Sequence, residues 1–140
     1  MEWQEALSLL QENHTGVAIS VTPKARAQAT IVSTAVLDGK VGFASRGYTV
    51  KVKNIERTGR ATVTVIKLDT RRYVTVEGPA SIEPWQDTKA HIKRLKDLYV
   101  AMGRAPKGTD EEFAQQMRDE ERNLVLVTPE RLYGSLRSGA

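Results

Sequence analysis

The stretch from Gln28 to Ala44, QATIVSTAVLDGKVGFA, decides the fold. Its first part is rich in β-branched residues, which are common in strands. The pair Asp38-Gly39 then interrupts it, and a second apolar run, Lys40–Ala44, follows directly. An Asp-Gly pair between two such runs is the strongest short-range signal for a β-hairpin. The sequence therefore predicts an antiparallel hairpin, whose second strand is predicted to end at Ser45-Arg46-Gly47.

Further strands are predicted on both sides of this hairpin, because short runs rich in Val, Ile and Thr recur between turn signals. The longest of them contains Gly78-Pro79, and the missing proline N–H predicts a bulge or an edge there. These strands are predicted at Val17–Val21, Ala61–Ile66, Tyr73–Ile82 and Asn123–Val127, with a resumption at Leu132–Gly134.

Helices are predicted where apolar residues recur at spacings of three and four. Thr109 and Glu112 form a capping box at the start of the last of them. From Thr49 to Thr58 one or two helical turns are favoured, ended by Gly59, while the alternation over Tyr48–Lys53 leaves a strand open as an alternative. The other helices are predicted at Glu2–Asn13 and Asp87–Met102.

The order of these elements lacks the parallel βαβ rhythm of a Rossmann domain. Five or six strands with helices at the ends and between them predict a mainly β, α+β fold. The expected architecture is a six-stranded antiparallel β-barrel with peripheral helices. The 140 residues have 40% hydrophobic and 27% charged side chains, an ordinary globular composition. Because no linker or repeat interrupts them, residues 1–140 are predicted to form a single domain.

Composition and motifs narrow the chemistry. The chain has no Cys, which excludes disulfides, thiolate metal sites and a cysteine nucleophile. Its two histidines, His14 and His91, are predicted to be solvated or capping residues, and no bound metal is expected. The motifs GxGxxG, GxSxG and HExxH and the P-loop are absent. No apolar run approaches the ~20 residues of a membrane span and the N-terminus is acidic, so we expect a cytoplasmic location and no membrane partner.

Positive charge is concentrated in one part of the chain, the segment Lys40–Arg72. It holds nine cationic side chains and two acidic ones. This pattern favours a phosphorylated ligand or a nucleic-acid backbone over a membrane. Few aromatic residues accompany the charge, namely Phe43, Tyr48 and Tyr73, and the strand alternation buries Phe43. The scarcity of stacking aromatics argues against nucleic acid as the partner.

The stretch Ser45–Ile55 is the candidate ligand site within this basic segment. It is predicted to follow a strand and to open a helix, and a helix N-terminus with cations beside it is an anion site. Lys51 and Lys53 point about 200° apart on a helix, so only one of them faces a given ligand. The alternative, a solvated face of surface lysines, stays open.

The block Lys51-Val52-Lys53-Asn54-Ile55-Glu56-Arg57, followed by Ala61-Thr62-Val63-Thr64-Val65, resembles part of a known family. This is the split β-barrel family that binds flavins and deazaflavins. It contains pyridoxamine 5'-phosphate oxidase-like proteins and the F420-dependent reductases of actinobacteria. Three further stretches resemble parts of this family in the same order. Gly16–Ser20 and Ala27–Val32 together resemble its first hairpin, and Tyr73–Ala80 resembles its long strand. Asn123–Gly134 resembles the closing strand of its F420-binding branch.

The resemblance implies a homodimer with two cofactor sites in grooves between the subunits. It places Lys51 at the cofactor phosphate, with Thr49 and Ser45 beside it. It also implies that Arg71 and Arg72 approach an acidic tail. The remaining implied residues are Lys53 and Arg46 at other anionic groups, and Ser20 and Gln28 at the ring of the flavin or deazaflavin.

The resemblance further implies the chemistry, since in this family the cofactor ring transfers a hydride while the protein supplies position and electrostatics. Coenzyme F420 has an acidic tail that suits the basic segment, so F420 is favoured over FMN. The implied function is an F420-dependent oxidoreductase acting on a small acceptor such as a quinone, an enone or a tetrapyrrole. No catalytic residue is assigned, and Tyr133 is a candidate proton donor by position. An FMN-dependent oxidoreductase, a cofactor carrier without turnover and a basic nucleic-acid-binding β-barrel stay open as alternatives.

Overall fold

The computed structural model describes residues 1–104 and 106–137, and this part of the chain holds seven strands and four α-helices. A turn of 3-10 helix, Leu68–Thr70, joins two of the strands. No helix among the described residues has both the length and the apolar character that crossing a membrane requires. In chain order the elements are α1 (Trp3–Glu12), β1 (Thr15–Val21), β2 (Ala27–Leu37), β3 (Lys40–Arg46), α2 (Val50–Thr58), β4 (Arg60–Lys67), β5 (Arg72–Glu83), α3 (Lys89–Ala101), α4 (Asp110–Glu120), β6 (Arg122–Val127) and β7 (Arg131–Ser135).

The strands pair in antiparallel fashion and close into a barrel. Their order along the sheet is β4-β1-β2-β3-β6-β5-β7, and β4 also pairs with β5. This last pairing closes a cycle of six strands and confirms the predicted six-stranded antiparallel barrel, to which β7 adds a seventh strand beside β5. The predicted hairpin is the β2–β3 pair, which turns at Asp38 and Gly39 with φ of 55° and 70°. Two successive positive φ angles are what a type I′ turn requires.

The irregularity at Gly78-Pro79 marks the point where β5 changes partners. Both residues still pair with β4, whereas Ala80 pairs with Val127 of β6. A Cβ atom on Gly78 would lie 2.0 Å from the carbonyl oxygen of Thr128, so only glycine permits this close approach of two backbones. Gly78-Pro79 thus lies at the position where one strand serves both halves of the barrel.

Two apolar clusters stabilise this arrangement. The first fills the barrel with alternate strand residues, including Phe43, which is buried as predicted. Helix α1 adds Leu9 and Leu10 to this cluster. The second cluster packs α3 and α4 against β6 through residues such as Leu98 and Phe113. The two helices therefore cover the outside of the barrel, as the sequence predicts.

Helix α2 begins and ends where the sequence predicts. Thr49 is its N-cap and accepts a hydrogen bond from the amide of Val52 at 3.4 Å. Gly59 ends the helix in the left-handed conformation. Val52 and Ile55 are buried and hold α2 against the barrel. The alternative of a strand over Tyr48–Lys53 is therefore wrong.

The predicted end of β3 is also wrong, because the strand continues through Arg46. Ser45 and Arg46 both pair with residues of β6, which the sequence of β3 alone does not reveal. The side-chain amide of Asn123 on β6 donates to the carbonyl oxygens of Ser45 and Gly47, at 3.2 and 2.7 Å. Pairing with β6, which lies near the other end of the same chain, thus extends β3 into the polar stretch Ser45-Arg46.

The two histidines differ from each other in their surroundings. The sequence predicts that His91 is a solvated or capping residue, and because His91 is buried, the solvated alternative is wrong. Its Nε2 lies 2.9 Å from the carbonyl oxygen of Arg122, and its ring packs edge-on against Trp85. His14 is half-buried, with Nδ1 at 2.9 Å from the carbonyl oxygen of Thr34. Both imidazoles serve the packing of backbone segments that lie far apart in the sequence.

Candidate functional site

A cavity of about 380 Å³ lies at the N-terminus of α2. Residues of β2, β3, β6 and the end of α3 form its other sides. Its volume is near the lower end of the range for small-molecule sites. Four of the residues that the sequence and the family resemblance single out line it: Ser45, Arg46, Thr49 and Lys51.

The start of α2 presents polar groups to this cavity. Oγ of Ser45 lies 3.3 Å from Oγ1 of Thr49, so β3 and the helix cap are joined by their hydroxyls. The first turn of a helix leaves backbone N–H groups without intrahelical partners and carries a partial positive charge. This side of the cavity therefore favours a negatively charged group.

Lys51 is half-buried in the wall of the cavity. Burial is the larger cause that lowers the pKa of its ammonium group, and the positive charge of Arg122 lowers that pKa further. In the part of the chain that the structure describes, no carboxylate forms an ion pair with Lys51. A bound anion would stabilise the charged form of a partly desolvated cation that stands beside a second cation.

Arg46 and Arg122 stand opposite each other in the β3–β6 ladder. Like charges at such positions repel, and here Glu120 accepts hydrogen bonds from both, at 3.2 Å from Arg46 and 2.9 Å from Arg122. Burial by itself raises the pKa of Glu120, but the hydrogen bonds from Arg122 and Gln116, together with the positive charges of Arg122 and Arg46, lower the pKa overall. Glu120 is therefore an ionised carboxylate that holds two guanidinium groups at the cavity.

The end of α3 supplies Tyr99 and, just beyond it, Arg104. The ring of Tyr99 packs edge-on against Phe113, with 5.6 Å between the centroids. Burial raises the pKa of the Tyr99 phenol, so it remains a hydrogen-bond donor at neutral pH. The sequence did not single out Tyr99, Arg104 or Arg122. The one available signal was the place of Arg122 directly before the predicted strand Asn123–Val127.

Ser20 and Gln28 lie outside this cavity, in a network between α2 and the β1–β2 pair. Oγ of Ser20 donates to Oε1 of Gln28 at 3.3 Å and accepts from Nδ2 of Asn54 at 3.1 Å. Arg57 donates to Oδ1 of Asn54 at 3.1 Å and to the backbone carbonyl of Val21. The network ties α2 to β1 and thereby fixes the helix that carries the N-terminal site.

Three other predicted residues also lie away from the cavity. Lys53 is exposed on α2, which agrees with its expected divergence from Lys51. Arg71 and Arg72 line a separate cavity of about 270 Å³ beside Leu68. Within one chain, four of the nine predicted residues thus meet at one cavity and five lie elsewhere.

Tyr133, the candidate proton donor, lies on β7. The guanidinium of Arg131 stacks over its ring, with 4.9 Å from the guanidinium carbon to the centroid. It does not line the cavity at α2, whereas Tyr99 does. Tyr99 is therefore the tyrosine whose position relates it to the candidate site.

A family model described as pyridoxamine 5'-phosphate oxidase matches residues 3–135 of the chain. Among similar solved structures, a conserved hypothetical protein from Mycobacterium tuberculosis has 21% identity and a TM-score of 0.73, covering 96% of this chain and 84% of that one. An F420 reductase has 23% identity and a TM-score of 0.66, covering 90% and 94%. The heme storage protein HutZ from Vibrio cholerae has 15% identity and a TM-score of 0.67, covering 96% and 95%. No curated protein matches the chain.

Proposed function

The chain belongs to the pyridoxamine 5'-phosphate oxidase family, and we propose that it is an oxidoreductase that binds coenzyme F420 and transfers a hydride to a small organic acceptor. Lys51 carries this proposal. It is a half-buried cation at a helix N-terminus, in a cavity, without an acidic partner among the described residues. An F420 reductase among the similar structures supports the same fold.

The residues of the cavity fit the phosphate group of such a cofactor. Lys51 supplies a positive charge, and Thr49 and Ser45 supply two hydroxyls. The first turn of α2 adds backbone N–H groups and the positive end of its dipole. No acidic side chain lines the cavity in the described part of the chain. These groups bind and orient the phosphate, and the ring of the bound cofactor supplies the hydride chemistry.

The cavity formed by one chain has a volume of about 380 Å³, and we propose that a second copy of the chain completes the site. One face of the β1–β2 hairpin is apolar and partly exposed, and Ile31 on it is 77% exposed while lining the cavity. Exposed apolar patches mark surfaces that a partner covers. Arg71 and Arg72 lie away from the cavity of their own chain, and the proposal is that they reach the acidic tail of the cofactor from the partner subunit. The face consists of Val17, Ile19 and Val21 opposite Ile31, Ala29 and Ala27.

FMN is the runner-up, because its phosphate meets the same groups at Lys51. A carrier that binds F420 without turnover is the second alternative. The hypothesis of a nucleic-acid-binding β-barrel loses support, since Phe43 lies in the barrel core and is not available for stacking on a base. Turnover experiments with reduced F420 and reduced FMN distinguish the FMN-dependent enzyme and the F420 carrier from the proposed F420-dependent oxidoreductase.

The turnover experiment mixes reduced F420 with the protein and, in turn, a quinone, an enone or a tetrapyrrole. We expect the absorbance of oxidised F420 to appear only when both protein and acceptor are present. Binding without oxidation across the whole panel would favour the carrier. Acceptor-dependent oxidation of reduced FMN, with no oxidation of reduced F420, would favour the runner-up.

The lowered pKa of Lys51 predicts how cofactor affinity depends on pH. The cofactor phosphate binds the ammonium form of Lys51. The affinity for the cofactor is therefore greatest at pH values below the pKa of Lys51 in the cofactor-free protein, and it falls as the pH rises through that pKa. Burial and Arg122 lower that pKa, so the fall is expected to begin at a pH below the usual lysine value of 10.5. Fluorescence titration of F420 at increasing pH measures it, and Lys51→Arg should flatten the profile because arginine stays charged. An unchanged profile in Lys51→Arg would contradict the assignment.

A further inference from the structure

A second cavity, of about 650 Å³, lies between α3 and α4. This volume is within the range of small-molecule sites and exceeds that of the cavity at α2. None of the described residues lines both cavities, so the second one is a separate place on the protein. We call it the α3–α4 groove, and its floor is defined by the apolar side chains Ile92 and Val100 of α3 and Phe113 and Ala114 of α4.

The floor of the α3–α4 groove is only partly covered by the protein itself. Phe113 and Ala114 are buried, and Ile92 packs against the same apolar cluster as Phe113. Val100, in contrast, is 56% exposed. Ile92 and Val100 are eight residues apart on α3 and therefore lie on the same face of the helix. A ligand with an apolar surface would remove Val100 from water, which favours its binding.

The rim of the groove carries charges that balance one another. Four cationic and four acidic side chains line it, so its formal net charge is zero. Seven of these eight form ion pairs among themselves, and in the described part of the chain only Lys89 has none. Paired charges with no net excess do not attract an ion of either sign, in contrast to the basic cavity at α2. The groove therefore favours an uncharged ligand.

Two of the ion pairs join α4 to α3 and to the residues just before α3. Nζ of Lys96 lies 2.6 Å from Oδ1 of Asp110, and Nε of Arg118 lies 3.0 Å from Oδ1 of Asp87. Asp110 and Arg118 are eight residues apart on α4, which corresponds to about 12 Å along the helix axis. Phe113 lies between them in the sequence of α4. The floor between the two pairs thus has the length of a small molecule.

Phe113 gives the groove an aromatic surface in a defined orientation. Its ring packs edge-on against that of Tyr99, with 5.6 Å between the centroids. Tyr99 lines the cavity at α2 and Phe113 lines the groove, so the two rings stand between the two cavities. Aromatic rings attract one another in edge-on or offset arrangements by more than their buried area alone provides. An aromatic ligand should therefore bind at Phe113 more tightly than a saturated one of the same size.

We propose that the α3–α4 groove is a second ligand site and that it binds a small, uncharged aromatic molecule. The apolar floor supplies the affinity, the balanced rim excludes a preference for ions, and Phe113 selects a ring. This inference goes beyond the proposed function and does not depend on it, because it concerns a different cavity.

The test compares three probes by isothermal titration calorimetry at neutral pH: uncharged aromatic naphthol, the anion naphthoate, and decahydronaphthol, the saturated analogue of naphthol. We expect the wild type to bind naphthol most tightly. Val100→Glu places a charge on the apolar floor, so its affinity for naphthol should fall about tenfold. Phe113→Leu keeps the floor apolar but removes the ring, so it should abolish the preference for naphthol over decahydronaphthol. Val100 is exposed, so Val100→Glu is expected to fold even if Phe113→Leu does not.

Two control variants locate the binding of naphthol. Ala90→Glu adds the same charge at an exposed position of α3 that does not line the groove, and Lys51→Ala alters the other cavity. Both should bind naphthol as the wild type does. Naphthol binding by a wild type that binds neither F420 nor FMN would support this site while the proposed function fails. The inference would be overturned if the wild type did not bind naphthol, if it bound naphthoate more tightly, or if Val100→Glu kept the wild-type affinity for naphthol.

Discussion

Replacing Lys51 with alanine is expected to weaken F420 binding about ten- to a hundredfold, the scale of a hydrogen bond to a charged group. The physical reason lies in the surroundings of the ammonium. Lys51 is half-buried, and Arg122 lies near enough to lower its pKa further. In the described part of the chain no carboxylate neutralises it, so a bound phosphate is its counterion. Fluorescence titration of wild type and variant with oxidised F420 measures the change.

The control for this variant is Lys89→Ala. Lys89 is an exposed lysine at the start of α3 and does not line the cavity. Its loss changes the net charge of the protein by the same amount as Lys51→Ala and should leave the affinity for F420 unchanged. The thermal midpoint of Lys51→Ala should stay at or above that of the wild type, because a partly desolvated cation is removed. Unchanged F420 affinity in Lys51→Ala would rule out its assignment to the phosphate.

Replacing Gly78 with alanine is expected to destabilise the fold by about 3 kcal/mol or more, or to prevent folding. The added Cβ would stand 2.0 Å from the carbonyl oxygen of Thr128 and 3.1 Å from the amide nitrogen of Glu130. Both contacts are with backbone atoms, which cannot turn away as a side chain can. The chain after β6 is held here by hydrogen bonds from Thr128 to Pro79 at 2.8 Å and from Glu130 to Glu77 at 3.0 Å. Relieving the overlap breaks these bonds where β5 joins the two halves of the barrel.

Urea unfolding followed by circular dichroism measures the effect. Pro79→Ala is the matched control, because Pro79 is the exposed neighbour and keeps its backbone carbonyl, so a change below about 1 kcal/mol is expected. A Gly78→Ala protein as stable as the wild type would show that the two backbones do not approach as closely as described.

The elements with strong local signals were predictable from the sequence. The hairpin turn at Asp38-Gly39 requires two positive φ angles, and the residues that adopt them stand side by side in the chain. Thr49 and Gly59 likewise determine the two ends of α2 through capping, which depends on neighbouring residues alone. The position of Lys51 followed from that of α2, because Lys51 lies in the first turn of the helix, beside its N-terminus.

What the sequence did not predict depends on contacts between distant residues. β3 continues through Arg46 because β6 pairs with it, and nothing in the local sequence of β3 shows that partner. Arg104 and Arg122 reach the site of Lys51 only because α3 packs against the barrel and β6 pairs with β3. His91 is buried for the same reason, since the carbonyl group that it contacts belongs to β6. The contribution of Arg104 and Arg122 to the cavity could therefore not be predicted before the topology was known.

The binding of F420 itself tests the central claim most directly. The protein is mixed with F420 and, separately, with FMN, each mixture is desalted, and the absorbance spectrum of the protein fraction is recorded. We expect the deazaflavin absorbance to accompany the wild-type protein and to be lost in Lys51→Ala. A protein fraction that carries neither chromophore, or that retains FMN and not F420, would contradict the account.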